Sequence, residues 1–246
     1  MQKGSNILRK VQLTMSKYRH EYKYIIDEKQ YAVLDLKASV LMKKDMHALK
    51  SGKYQIASLY FDDYWNSCFY ENENGIDPRS KFRIRYYNND TKYIKLEKKS
   101  KSHGMTQKES CAITEEQCMM LMNGKIPSVT DDLSEKQAVL FSEMQLRNML
   151  PKVIVSYERI PYVYQAGNVR ITFDRNLTSS CDINAFLDGT FGKRPILERG
   201  MSVLEVKWDE LMPSHIRENM QIDNLQWTAF SKYYLCRKYN LNGGLK

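Results

Sequence analysis

Five cysteines, eleven glycines and six prolines are few for a chain of 246 residues. The cysteines are odd in number and include no Cys-x-x-Cys pair, which argues against a disulfide framework or a zinc site. Scarce glycine and proline argue against long disordered linkers. We therefore predict a folded chain whose cysteines are reduced structural thiols.

Membrane and targeting signals are also missing. No apolar run reaches the 18 residues that mark a transmembrane helix. The first 24 residues contain neither the apolar core nor the small-residue cleavage site of a signal peptide. These features predict a cytoplasmic protein with no membrane segment.

Common catalytic and nucleotide-binding motifs cannot be found either. The sequence contains no Walker A motif and no G-x-G-x-x-G, which argues against P-loop and Rossmann enzymes. It contains no RNP, helix-turn-helix or zinc-finger pattern, so we predict that nucleic acid is not the partner. The four histidines show no paired spacing and suggest no Ser-His-Asp set.

Positive charge is plentiful. The chain has 38 Lys and Arg against 29 Asp and Glu, a net charge of +9, and its pI is near 9.1. Such a balance favours an anionic partner.

The order of elements predicts an α+β class. Strand-like runs occur at 18–26, 54–63, 80–100, 104–113, 152–164, 168–177, 195–200 and 202–210. They are interspersed with helices, one of them predicted over 131–150, and no regular βαβ alternation occurs. Asp27 is a candidate N-cap for the first helix. We predict a basic, flexible lead-in over 1–16, one domain over 17–240 and a tail over 241–246.

Charge alternates along the stretch SKFRIRYYNNDTKYIKLEKKS, residues 80–100, with the period of a β-hairpin. The charged side chains share one face of each strand: Lys81, Arg83 and Arg85 on the first, and Lys95, Glu97 and Lys99 on the second. Other strands repeat the pattern with Arg19, Glu21 and Lys23, with Thr106 and Lys108, with Tyr157 and Arg159, with Arg170, Thr172 and Asp174, and with Glu205 and Lys207.

Two arrangements of the strands give this alternation. One is a sheet with a solvated face. The other is a closed antiparallel β-barrel whose apolar faces pack outward beneath helices, so that the cations line a polar tunnel. Like charges about 4 Å apart repel by about 1 to 4 kcal/mol, so such a tunnel is expected to hold a polyanion. We predict the closed barrel.

Lysine and arginine are the side chains that bind phosphate, so alternation alone makes Lys95 and Lys207 candidate phosphate-binding residues. The few carboxylates on these faces, Glu21, Glu97 and Glu205, are candidate ligands of a divalent metal. Mg²⁺ is typically held by one or two carboxylates together with substrate phosphates. A salt bridge to a neighbouring lysine is the alternative for each carboxylate.

An ordered set of segments resembles a known family: YRHEYKYII, SLYFDD, FRIRYY, YIKLEKKS, SYERIPY, VRITFDRNL, VLEVKWDELMP and FSKYYLCRKY. In order, they are similar to the VTC domain, the catalytic domain of the vacuolar transporter chaperone polyphosphate polymerase, in the triphosphate tunnel metalloenzyme (CYTH-like) superfamily. The resemblance runs from about Tyr18 to Tyr239. It implies a closed β-tunnel that binds ATP and polyphosphate, uses Mn²⁺ or Mg²⁺, and transfers the γ-phosphoryl group to a growing chain.

The resemblance also implies a role for each matching residue. Glu205 in LEVK resembles the metal-binding glutamate. Catalytic or phosphate-binding roles fall on Lys23 in EYKY, Arg83 and Arg85 in RIRYY, Lys99 in LEKKS, Lys108 in TQKES, Arg159 in YERIPY, Arg170 in VRITFD, and Ser231 and Lys232 in FSKY.

One departure concerns the superfamily's first-strand E-x-E-x-K motif, which reads Arg-His-Glu-Tyr-Lys over 19–23. The missing first acid resembles the polymerase branch more than the hydrolase branches. The SPX domain and membrane helices of the eukaryotic complex are not in the sequence, so a membrane-associated partner is a further expectation. Two alternatives stay open: a tripolyphosphate or nucleoside triphosphate hydrolase, and a non-catalytic module that binds polyphosphate or inositol phosphate.

Overall fold

The computed structural model describes residues 18–46, 48, 51–221 and 225–241. The predicted lead-in over 1–16 lies outside the described residues, as does the predicted tail beyond residue 241. The described residues form ten strands: β1 (His20–Ile26), β2 (Lys43–Lys44), β3 (Tyr54–Asp62), β4 (Arg79–Tyr87), β5 (Asp90–Ser102), β6 (Met105–Ile113), β7 (Leu150–Tyr164), β8 (Val169–Ser180), β9 (Arg194–Pro195) and β10 (Ser202–Trp208). The same part of the chain contains six α-helices: α1 (Glu28–Leu41), α2 (Ser67–Glu73), α3 (Glu115–Met122), α4 (Glu135–Leu146), α5 (Ser214–Asn219) and α6 (Lys232–Leu241).

Local sequence accounts for several of these boundaries. Asp27 caps α1, as predicted, by accepting the backbone N–H of Gln30 at 2.8 Å, and the Gln30 side chain accepts the N–H of Asp27 in return. Asn88 and Asn89 both adopt positive φ, 53° and 56°, which a two-residue hairpin turn between β4 and β5 requires.

Two predicted elements differ from the structure. The strand predicted over 195–200 is reduced to the two residues of β9. The helix predicted over 131–150 is shorter, because α4 ends at Leu146 and β7 already begins at Leu150.

One antiparallel sheet contains all ten strands. Its main path runs β1-β10-β8-β7-β3-β4-β5-β6, with β2 added to β7 and β9 to β8. The sheet curls until its edge strands approach each other. Within the described residues they meet at a single bridge, where Arg19 and Thr106 exchange backbone hydrogen bonds of 2.9 Å. The predicted α+β class is confirmed. The predicted closure is wrong: the barrel is open, because no continuous ladder joins β1 to β6.

The apolar core lies on the outside of the curled sheet. Phe82, Ile84 and Tyr86 of β4 are fully buried there, together with residues of α3 and α4. A second apolar cluster packs α1 against β8 and β10, with Leu34, Phe173 and Leu204 in contact across it. The helices therefore cover the outer face of the sheet, as predicted, and the inner face is free to be polar.

Within the described residues, none of the helices combines the length and the apolar character that crossing a membrane requires.

Candidate functional site

A cavity of about 460 Å³ occupies the inside of the curled sheet. We call it the central cavity. Eleven cationic side chains line it: Arg19, Lys23, Lys81, Arg83, Arg85, Lys99, Lys108, Arg159, Arg170, Lys207 and Lys232. All except Arg19 and Lys232 come from strands, and the two-residue period of those strands places them on the inner face. Arg19 directly precedes β1 and forms the bridge with Thr106. Lys232 comes from the first turn of α6.

Six carboxylates contact these cations: Glu21, Asp45, Glu97, Asp174, Glu205 and Asp209. Counted over the described residues, eleven cations and six carboxylates leave a surplus of five positive charges.

Glu21 in β1 lies at the centre of one group of ion pairs. Its two oxygens lie 2.5 Å from the ammonium nitrogens of Lys23 and Lys99, and Lys207 is 3.8 Å away. Thr106 donates its hydroxyl to the same carboxylate at 3.2 Å. Burial opposes ionisation, but these three lysines outweigh it and hold the pKa of Glu21 well below its usual value.

Glu205 in β10 faces Lys23 across the β1–β10 ladder. It pairs with Lys207 and lies 3.7 Å from Arg159 and 3.8 Å from Lys232. Burial again opposes ionisation, and the surrounding cations again outweigh it, so the pKa of Glu205 is also well below its usual value. Both carboxylates therefore stay charged inside the cavity.

Glu97 and Asp174 fix two of the arginines. Arg83 binds Glu97 through Nε at 2.8 Å and NH2 at 2.7 Å. Both of these contacts are to one oxygen of Glu97, Oε2. Arg159 instead binds Asp174 as a bidentate fork, with Nε 2.6 Å from Oδ1 and NH2 2.8 Å from Oδ2, and Lys232 contacts Asp174 at 2.6 Å. Contacts through two nitrogens orient the planar guanidinium group in both cases.

Tyrosine hydroxyls accept a hydrogen bond from three of the arginines. Arg83 donates to the hydroxyl of Tyr60 at 2.8 Å, Arg85 donates to Tyr157 at 3.1 Å, and Arg170 donates to Tyr54 at 2.9 Å. Burial disfavours the charged form of Tyr60, but the nearby cations outweigh it and lower its pKa to about 8.

Lys81 differs from the other ten cations. It has no carboxylate within 4.0 Å among the described residues, and its ammonium group donates only to the Ser231 hydroxyl, at 3.2 Å. Burial and the neighbouring cations Lys23 and Arg83 lower its pKa to about 8, against the opposing effect of Tyr60 and Glu21. A partly buried lysine without a carboxylate is a ready partner for an added anion.

A family model for the VTC domain matches residues 18–240 of this chain. The chain belongs to the VTC domain family. No curated protein sequence matches it.

Solved structures agree with this VTC domain in fold. A candidate adenylyl cyclase from Hippeastrum, described as having a dominant triphosphatase activity, is 14% identical with a TM-score of 0.54, covering 89% of this chain and 95% of its own. A candidate adenylate cyclase from Bacillus halodurans is 10% identical with a TM-score of 0.52, covering 89% of this chain and 96% of its own.

The VTC domain brings together twelve of the fourteen residues selected from sequence. These line the central cavity: Glu21, Lys23, Arg83, Arg85, Lys99, Lys108, Arg159, Arg170, Glu205, Lys207, Ser231 and Lys232. Glu97 is buried and does not line the cavity, but its carboxylate accepts a hydrogen bond from the Arg83 side chain. Lys95 is exposed and does not line the cavity.

Sequence reasoning did not select several residues of the site. Lys81, Arg19 and Asp174 lie on the charged faces that alternation identified, so the same signal could have found them. Asp45, which pairs with Arg170 at 2.7 Å, lies between strands, and no periodicity marks it. Tyr60 lies in a strand, where a tyrosine is equally expected as a packing residue, so the sequence does not mark it as functional.

The carboxylates of the cavity determine whether a divalent metal ion could bind there. Among the described residues, no group of three or more His, Cys, Asp and Glu side chains could hold one. Glu21 and Glu205 do lie on neighbouring strands, two positions apart in the ladder, and both line the cavity. Two carboxylates and substrate phosphates match the usual environment of Mg²⁺. The pair therefore fits a metal shared with phosphate, whereas Glu97 does not line the cavity.

Proposed function

We propose that this VTC domain is a phosphotransferase of the polyphosphate polymerase type, which transfers the γ-phosphoryl group of ATP to a growing polyphosphate chain. The observation that carries the proposal is the surplus of five positive charges around the central cavity. An enclosed surface of this kind is suited to a chain of phosphates, which presents charge at every unit. ATP is abundant in the cytoplasm, the compartment that the sequence predicts.

The cavity side chains supply what phosphoryl transfer needs. A terminal oxygen of the acceptor chain bonds to the γ-phosphorus while the bond from that phosphorus to the bridging oxygen of ADP breaks. The acceptor oxygen is already anionic, so no general base is required. Catalysis then rests on positioning and on neutralisation of charge.

Arg83, Arg85 and Arg159 are preorganised for this role, because carboxylates and tyrosines already fix their planes. Lys23, Lys81 and Lys99 add ammonium groups that bind as point charges. A Mn²⁺ or Mg²⁺ ion held by Glu21, Glu205 and the phosphates would neutralise further charge on the substrate.

A second candidate function is hydrolysis of tripolyphosphate or a nucleoside triphosphate. The observation that favours it is the fold shared with the Hippeastrum protein, for which a dominant triphosphatase activity is described. Hydrolysis would use the same cations, with water in place of the acceptor phosphate.

Incubation of the protein with ATP and Mn²⁺ separates these functions. Chains that grow with time on a polyacrylamide gel, with matching release of ADP, are the result that we expect. Free phosphate without chains would replace the polymerase proposal with the hydrolase. Stabilisation by polyphosphate without any turnover would leave only a binding module.

A further inference from the structure

Lys232 is the helical member of the eleven cavity cations. It lies in the first turn of α6, whereas backbone pairing within the sheet fixes the cations of the strands. Its ammonium nitrogen is nevertheless placed 2.6 Å from Asp174 and 3.8 Å from Glu205. Contacts between α6 and the rest of the chain therefore determine where this lysine lies.

Tyr233, the next residue, makes a contact that joins the first turn of α6 to the sheet. Consecutive residues of an α-helix point about 100° apart, so Tyr233 is directed differently from Lys232. Its side chain is only 1% exposed, and its hydroxyl donates to the carboxylate of Asp62. Burial, and then the Asp62 carboxylate, raise the pKa of Tyr233, so the hydroxyl keeps its proton and remains a donor.

Asp62 is the last residue of β3 and is fully buried. Besides the Tyr233 hydroxyl, its carboxylate accepts the backbone N–H groups of Asp63 at 2.9 Å, Cys68 at 2.8 Å and Phe69 at 3.1 Å. Four donors on one buried carboxylate hold it in a single orientation. The Tyr233 hydroxyl is thus bonded to an acceptor that the end of β3 and the start of α2 keep in place.

The aromatic ring of Tyr233 has a separate contact with the cavity wall. It lies against the ring of Tyr60, with ring centroids 5.4 Å apart, and Tyr60 accepts a hydrogen bond from Arg83 at 2.8 Å. A phenylalanine at position 233 would keep this ring contact and lose only the hydroxyl. The two roles of Tyr233 can therefore be separated.

Other contacts hold the body of α6 against α2. The rings of Phe69 and Tyr234 stack with centroids 5.1 Å apart, and Arg237 donates to the side chain of Asn66 at 2.7 Å. Neither contact uses the Tyr233 hydroxyl. Removal of that hydroxyl is therefore expected to loosen the first turn of α6 and to leave the rest of the helix docked.

We propose that Asp62 and Tyr233 form a positioning pair, which fixes the first turn of α6 so that Lys232 faces the phosphates bound in the central cavity. Neither residue touches the substrate, and both act through Lys232. This inference rests on the proposed function, because it assumes that Lys232 binds phosphate.

The test removes the hydroxyl with Tyr233→Phe and compares it with a matched control, Tyr162→Phe. Tyr162 is equally buried and donates to the carboxylate of Asp35 at 2.7 Å, but it does not line the central cavity. A second test variant, Asp62→Asn, replaces one of the two acceptor oxygens with an amide nitrogen. Titration calorimetry gives the Kd for tripolyphosphate, and initial rates with ATP and Mn²⁺ give kcat and KM.

We expect Tyr233→Phe to raise the Kd for tripolyphosphate and the KM for ATP by about fivefold, because Lys232 is no longer held toward the phosphates. A merely structural loss would reduce the active fraction, which lowers kcat and the binding stoichiometry but leaves Kd and KM unchanged. Tyr162→Phe should keep Kd and KM within about twofold of wild type. Asp62→Asn should raise both, as Tyr233→Phe does.

A double-mutant cycle shows whether the hydroxyl acts through Lys232. Lys232→Gln alone should raise the Kd for tripolyphosphate by about tenfold, because it removes a charge-assisted contact. Addition of Tyr233→Phe to Lys232→Gln should change that Kd by less than about twofold. Independent effects would instead multiply to about fiftyfold.

Two kinds of result would overturn the proposal in distinguishable ways. If wild type binds tripolyphosphate and Tyr233→Phe has the same Kd as Tyr162→Phe, this inference fails and the proposed function stands. A fiftyfold loss in the double variant would have the same meaning, because the hydroxyl would then act independently of Lys232. If wild type neither binds tripolyphosphate nor turns over ATP, the proposed function fails together with the inference.

Discussion

The two faces of strand β4 contrast sharply. Its outward residues Phe82, Ile84 and Tyr86 are fully buried beneath helices, whereas its inward residues Arg83 and Arg85 line a cavity. Burial of apolar area is the dominant stabilising contribution in folding, so the outer face holds the sheet together. Ion pairs taken out of water contribute little net stability and often cost some. The inner face is therefore available for the ligand binding proposed above, and the fold tolerates its charge because the core lies elsewhere.

The largest effects are expected from substitutions of neighbouring residues on the two faces of β4. One should lower activity and the other should lower stability. Arg83→Ala removes a guanidinium from the cavity, while Glu97 keeps Lys108 as an ion-pair partner at 3.2 Å. Turnover of ATP with Mn²⁺ should fall by at least about 10²-fold. Ile84→Ala should instead lower the free energy of unfolding by about 2–5 kcal/mol and leave KM for ATP unchanged.

Initial rates and urea unfolding on both variants check this separation. Wild-type turnover in Arg83→Ala would show that Arg83 does not contribute to the reaction. A changed KM in folded Ile84→Ala would mean that the outer face also shapes the site.

Carboxylates of the inner face should differ in their effect on the metal. Glu205→Gln preserves shape and removes charge, so the Mn²⁺ concentration for half-maximal activity should rise by roughly tenfold. Glu97→Gln, which alters a carboxylate held behind Arg83, should leave that concentration unchanged. An unchanged Mn²⁺ titration in Glu205→Gln would exclude this residue as a ligand.

The inner face should also respond to pH. As pH rises through about 8, Lys81 loses its positive charge and Tyr60 becomes negative, since both have a pKa of about 8. Both changes reduce the attraction for phosphate, so tripolyphosphate affinity should fall by about fivefold between pH 7 and pH 9.

Titration calorimetry in buffers of different ionisation enthalpy should detect proton uptake on binding near pH 8. Lys81→Gln should make the pH dependence shallower. An affinity that rises with pH would contradict the assignment of these charges.

The smallest effect is expected at Lys95, which lies on the inner-face period but beyond the cavity wall. Because its side chain is exposed, Lys95→Gln should change turnover and tripolyphosphate affinity by less than about twofold. A loss comparable to that of Arg83→Ala would restore the phosphate-binding role that alternation predicts.

Alternation in the sequence predicted the charged inner face because side chains in a strand point to opposite sides at a fixed period. The period does not say how far along the sheet the cavity extends, which is why Lys95 was selected and Lys81 was not. Closure of the β-barrel depends on the stagger between its edge strands, and no local feature of the sequence determines that stagger. The pairing of Arg170 with Asp45 joins residues far apart in sequence, so only the folded chain reveals it.

A crystal structure with tripolyphosphate bound tests the central claim most directly. The claim is that the inward cations of the curled sheet form one binding surface for linked phosphates. We expect tripolyphosphate oxygens within hydrogen-bond distance of Arg83, Arg85 and Arg159 inside the cavity. Tripolyphosphate bound only on the outer surface, with the cavity cations still paired as they are here, would contradict the account.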